Sequence, residues 1–234
     1  MLLYKYREIN KYSLDIILNN RLYLANVLAL NDPFDVFLKN FPNIKFHDKS
    51  YNVTNIMENI KVCSLSSIKD SILMWSHYSD SHRGLVFELE TENAEKLNYV
   101  PEIKLLNSTG IKVMHLMEEK DISIEEWKEY FCQKINYWEY ESEYRIVENG
   151  RNYQQAIIKK LILGSDFMEN TFENLLLLEK IIRIAEEKEI KIEWFCLNNQ
   201  IPLFGTTPLK PKIESVIPSD LIQAINEEIR NRMR

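Results

Sequence analysis

Segments with a two-residue hydrophobic period and segments with a helical period follow one another along this chain without a regular strand-helix-strand rhythm. That irregularity argues against a doubly wound parallel sheet. Residues 2–7 alternate as a strand, and residues 12–20 place Leu14, Ile17 and Leu18 at helical spacing before Asn19-Asn20 supplies a stop. Residues 21–26 and 61–66 read as strands, residues 68–78 as a short helix, and residues 84–90 as a strand with Leu85, Phe87 and Leu89 on one face. Ser123-Ile124-Glu125-Glu126 is a capping box whose helix runs through Trp127, Phe131 and Ile135, followed by strands at 140–147 and 156–163. Asn170 and Glu173 offer caps for a long amphipathic helix through Leu175, Leu178, Ile182 and Ala185; Ile190, Ile192, Trp194 and Cys196 then alternate, and Ser219 offers a cap for the last helix. The expected class is α+β, a single domain over residues 1–234 with a mixed, mostly antiparallel sheet core flanked by helices.

Composition removes several function classes. The five glycines, Gly84, Gly110, Gly150, Gly164 and Gly205, lie too far apart for a dinucleotide-binding GxGxxG turn or a Walker phosphate loop. No GxSxG elbow or catalytic-cysteine signature occurs. With 29 Lys and Arg against 35 Asp and Glu, the net charge of −6 argues against a broad nucleic-acid-binding surface, because that grip needs cations on several phosphates. Cys63, Cys132 and Cys196 are dispersed among apolar neighbours and read as reduced core residues, which points to the cytoplasm. The apolar runs are too short for a membrane span or a secretion signal.

Three polar clusters remain: Lys5-Tyr6-Arg7 on the first strand; Trp75 to Tyr78 with His82-Arg83-Gly84; and Glu139, Glu141 and Glu143. Read as one strand, the last cluster sets three carboxylates on one face. Solvent with nearby Arg or Lys is one way to compensate them, and a cationic ligand or reaction centre is another. Arg145 is an available neutraliser of Glu143. Trp75 and Tyr78, three apart on a helix, fit a core more often than a ligand platform. In Asn31-Asp32-Pro33-Phe34, Asp32 can cap a segment starting at Pro33 while Phe34 fills the core.

LYKYR, ALNDPF, MWSHYSDSHRGLVFELE, WEYESEYRI and KKLILG, in that order, resemble the bacterial family named domain of unknown function 2971. The likeness covers about two thirds of the chain, its last third being generic. The polar first strand, the helix ending in Leu-Asn-Asn and the Glu-x-Glu are more distantly similar to small ADP-ribosyltransferases. That resemblance implies an ADP-ribosyltransferase-like fold and NAD as substrate. It places Glu143 against the nicotinamide ribose, with Glu141 orienting the acceptor. Arg7, with Lys5 as second candidate, would bind NAD, and Tyr23 would stand in for the superfamily's middle Ser-Thr-Ser or Tyr element. His77, Tyr78 and Arg83 complete the expected cofactor-binding set. A fixed carboxylate there would stabilise an oxocarbenium-like ribose more than the ground state, and an Arg fork would hold pyrophosphate oxygens.

Three functions are consistent with these residues. The first is an NAD-consuming ADP-ribosyltransferase or NAD glycohydrolase, as a toxin or anti-phage defence effector acting on an acceptor the sequence does not identify. The second is a metal-dependent hydrolase or nuclease using Asp32, His77, His82 and glutamates, although no metal site is expected from their spacing. The third is a non-enzymatic module that binds a small ligand or a partner.

Overall fold

In a computed structural model, which describes residues 1–32, 43–46, 49–101, 123–197 and 211–233, the chain forms helices and mixed sheets of the α+β class. In chain order the elements are β1 (Leu2–Arg7), α1 (Lys11–Asn19), β2 (Arg21–Tyr23), β3 (Ala25–Asn26), β4 (Asn43–Phe46), β5 (Lys49–Asn52), α2 (Val53–Met57), β6 (Ile60–Ser66), α3 (Ile72–Tyr78) and β7 (Leu85–Thr91). They continue as β8 (Ala94–Lys96), β9 (Asn98–Val100), α4 (Ile124–Phe131), β10 (Gln133–Ile135), β11 (Glu143–Asn149), β12 (Tyr153–Leu163), α5 (Phe172–Glu187), β13 (Lys191–Leu197), β14 (Pro211–Ser215) and α6 (Pro218–Arg232). Two compact units form: residues 1–21, 66–91 and 155–234 make one, and residues 22–65 and 92–154 the other. Pro33 and Phe34, expected in a turn or a helix start, lie outside the described residues.

The first unit is built on the strand order β14-β13-β12-β7-β1. Only β12 and β13 in that order run parallel; its other pairings are antiparallel, in line with the mostly antiparallel expectation. Strand β7 buries Leu85, Phe87 and Leu89 on one face, while Glu88 stands on the other, opposite Tyr4 of β1 and Lys160 of β12. Helix α5 buries Leu175, Leu178, Ile181, Ile182 and Ala185 along one stripe, and α1 and α6 pack against it. Each such Leu or Ile contributes about 1.5–3 kcal/mol of burial. The second unit gathers Val27, Met57, Ile60, Val62, Leu97, Trp127, Phe131 and Val147 around Cys132. There β6 pairs with β3 and β11, and β8 adds to β11.

Several boundaries differ from the sequence reading, each for a local reason. Helix α4 keeps its capping box on Ser123 and Glu126 but stops at Phe131, and 133–135 pair as β10 with β9 instead of extending the helix to Ile135. The cap of α5 is Thr171, whose hydroxyl accepts the Asn174 N–H; the Asn170 side chain instead donates to the Arg83 and Phe167 carbonyls. Helix α6 starts with Pro218 after Ile217, so Ser219 lies inside its first turn. The three cysteines are free and buried.

Candidate functional site

Arg7 closes β1, and Asn10 caps α1 with a side-chain oxygen that accepts the N–H groups of Tyr12 and Ser13. Arg7, Glu8, Ser76, His77, Tyr78, Asp80 and Ser81 line a cleft of about 430 Å³ in the first unit. That volume is within the ordinary range for small-molecule sites. Its two carboxylates are already engaged: Glu8 accepts from the Asn10 amide at 2.7 Å, and Asp80 pairs with Arg83 at 2.8 Å. Arg7 has no such partner. Its Nε is buried without a hydrogen bond, and its guanidinium lies 5.7 Å from the centre of the Tyr12 ring. A buried guanidinium N–H left unmade is costly, and an acceptor entering the cleft would satisfy it.

The wall opposite β1 is made by α3 and the turn that follows. Trp75 is fully buried, stacked on Phe195 at 4.8 Å and edge-on to Tyr6 at 5.5 Å, so it is core. His77 and Tyr78, from the last turn of the same helix, line the cleft. The chain then passes through three successive left-handed residues, Asp80, Ser81 and His82, at φ 47°, 51° and 69°. Each such non-glycine residue costs about 1–2 kcal/mol. Backbone bonds hold them: Ser81 N–H to the Ser76 carbonyl at 3.2 Å, His82 N–H to that of Trp75 at 3.2 Å, and Gly84 N–H to that of Ser79 at 2.8 Å.

Of the expected cofactor-binding residues, the structure thus brings Arg7, His77 and Tyr78 to one cleft, with Arg83 fixing its Asp80 wall. Lys5 lies on β1 opposite Phe87 and does not line the cleft. Tyr23 is half exposed in the second unit, edge-on to Tyr153 at 5.7 Å.

The expected catalytic pair has a different setting. The row of Glu139, Glu141 and Glu143 on one strand face does not form, because residues 136–141 make a 3-10 turn and Ser142 at φ 43° breaks the alternation before β11 begins. Glu139 is left exposed, while Glu141 and Glu143 are each 3% exposed. Lys134, itself buried, donates to Glu141 at 2.5 Å and to Glu143 at 2.9 Å. Arg145, two residues along the same strand, grips both Glu143 oxygens at 2.6 and 3.1 Å and donates to the Phe131 carbonyl at 2.9 Å. Two anions and two cations therefore balance inside the second unit. Neither glutamate lines the Arg7 cleft.

Burial alone would raise the Glu143 carboxyl, but the Arg145 and Lys134 charges outweigh it and hold it at about 2. A depressed carboxylate contributes stability that is present above its unfolded value and lost as pH falls through its folded one. The urea midpoint of the wild type should therefore drop between pH 4.5 and about 2 more steeply than that of Glu143→Gln. Parallel curves would show that the pairing contributes nothing.

Sequence reasoning missed Lys134 and, in the cleft, Glu8, Asp80 and Ser81. It also missed a charged row across the first unit's sheet, where Lys160 lies 3.3 Å from Glu88 and 3.4 Å from Glu193, and the Tyr4 hydroxyl donates to Glu88 at 3.2 Å. Burial and Glu88 push the Tyr4 phenol up to about 12. Opposed polar residues on period-2 strands were the available signal, but it needs the register. Among the described residues no three His, Cys, Asp or Glu side chains gather in a metal-holding group, and no helix is long and apolar enough to cross a membrane. Comparison with protein families, curated proteins and solved structures finds no match to this chain.

Proposed function

We propose that this chain binds an anionic, phosphate-bearing small molecule in the cleft around Arg7. The buried Arg7 Nε without a hydrogen-bond partner carries the reading. Around it the lining supplies donors in Ser76, His77, Tyr78 and Ser81, while its carboxylates are held by Asn10 and Arg83. A phosphate offers several acceptor oxygens to such a set, and an Arg fork suits it. Three free, buried cysteines fit a cytoplasmic protein.

NAD is the first ligand to test, since Arg7, His77 and Tyr78, three of the six residues expected to bind it, line this cleft. A carboxylate that stabilises an oxocarbenium-like sugar has to reach the sugar, whereas Glu143 is buried and gripped by two cations. Binding is therefore the stronger reading, with NAD cleavage as the rival outcome. With ligand at about a hundred times its Kd, the stabilisation is about 2.7 kcal/mol, or about 5–10 °C in Tm for a chain of this size. Thermal melts with NAD and with ADP-ribose should show that rise in the wild type and none in Arg7→Ala. Equal shifts in both proteins would sink the assignment. Nicotinamide release by wild type, lost in a folded Glu143→Gln, would put the transferase reading first.

A further inference from the structure

Lys11 opens α1 four residues after Arg7. Its ammonium lies 5.2 Å from the centre of the Tyr12 ring, the same ring that the Arg7 guanidinium approaches to 5.7 Å. Neither cation makes an ion pair with a described carboxylate. Glu8, the nearest acidic residue in sequence, is tied to the Asn10 amide that also caps α1. Both cations lie within about 6 Å of one ring centre, so they are no more than about 11 Å apart, a span that a doubly anionic ligand bridges. A ligand with a single anionic group meets one of them, whereas a ligand with two adjacent anionic groups meets both.

Resting on the reading of the Arg7 cleft as a phosphate site, we infer that Lys11 forms a second anionic subsite beside it, so that the ligand class is a diphosphate rather than a monophosphate. Arg7 takes one phosphoryl group from within the cleft through its buried Nε. Lys11, exposed at the helix start, takes the other from the solvent side, and Tyr12 holds the two cations in place. Lys11 needs no fixed geometry for this, because an ammonium acts on a phosphate as a point charge.

Inorganic pyrophosphate and orthophosphate are the probes, titrated by calorimetry at matched ionic strength against wild type, Arg7→Ala and Lys11→Ala. Pyrophosphate should bind the wild type at least about tenfold more tightly than orthophosphate, a factor that corresponds to one added charge-assisted contact. Lys11→Ala should narrow that ratio toward one, and Arg7→Ala should remove binding of both. Equal affinity for the two probes, or a ratio unmoved in Lys11→Ala, would overturn the second subsite while leaving the Arg7 site standing. If wild type binds neither probe nor NAD, the phosphate reading itself fails.

Discussion

Replacing Arg145 with alanine is expected to lower the unfolding free energy by about 3–5 kcal/mol, the cost of stranding a buried charge. The change removes the guanidinium from both Glu143 oxygens and from the Phe131 carbonyl, leaving the Lys134 charge to face two buried carboxylates. One anion is then uncompensated where water does not reach. The double variant Glu143→Gln with Arg145→Met removes one charge of each sign and keeps the Lys134–Glu141 pair, so it should cost less than Arg145→Ala alone. Urea denaturation of the three proteins at neutral pH measures both differences. A loss below about 1 kcal/mol for Arg145→Ala would place the pair in the range of solvent-screened ion pairs and contradict its burial. The same experiment bears on function, because a Glu143 variant that unfolds will lose any activity for reasons unrelated to catalysis.

How much of this was legible in the sequence follows from the range of each signal. Strand β1, helix α1 with its Asn20 stop, the capping box on Ser123 and the alternation in β7 and β13 depend on near neighbours, and all are found close to where periodicity places them. Trp75 as core also follows from helical spacing; the same spacing sets Tyr78, three residues on, near that face, whereas Tyr78 lines the cleft. The glutamate cluster was misread because Ser142 adopts a left-handed conformation that alternation cannot anticipate, turning one apparent face into a 3-10 turn followed by a strand. Arg145 was recognised as the neutraliser of Glu143, but Lys134 was not. It reaches both glutamates only because the helix α4 ends four residues earlier than its apolar pattern suggests and the chain re-enters as β10. Likewise, the cleft depends on where the turn after α3 meets the end of β1, and that meeting is set by register between strands distant in sequence.

That meeting point makes Gly164 the most sensitive position bearing on the cleft. Gly84 and Gly164 end up against one another, the Gly164 N–H donating to the Gly84 carbonyl at 2.9 Å. A Cβ on Gly164 would collide with the backbone carbonyl of His82, and one on Gly84 with the backbone carbonyl of Arg7. Both obstacles are main chain, so a side-chain rotation cannot relieve them. The His82 carbonyl is also fixed by the Asp166 N–H at 3.1 Å, and the Asn170 amide holds the neighbouring Arg83 carbonyl at 2.7 Å. Gly164→Ala is therefore expected to cost about 3 kcal/mol, the upper part of the usual overpacking range. It should also displace the turn carrying Asp80 and Ser81, and with it the ligand-dependent rise in Tm. Gly150 supplies the contrast: it has φ 74° but nothing near its absent Cβ, so Gly150→Ala should cost only about 1 kcal/mol of backbone strain and leave the ligand shift intact. Melts of both variants with and without NAD test the coupling. If Gly164→Ala loses stability but keeps the full ligand shift, the turn after α3 is structural and the Arg7 site stands without it.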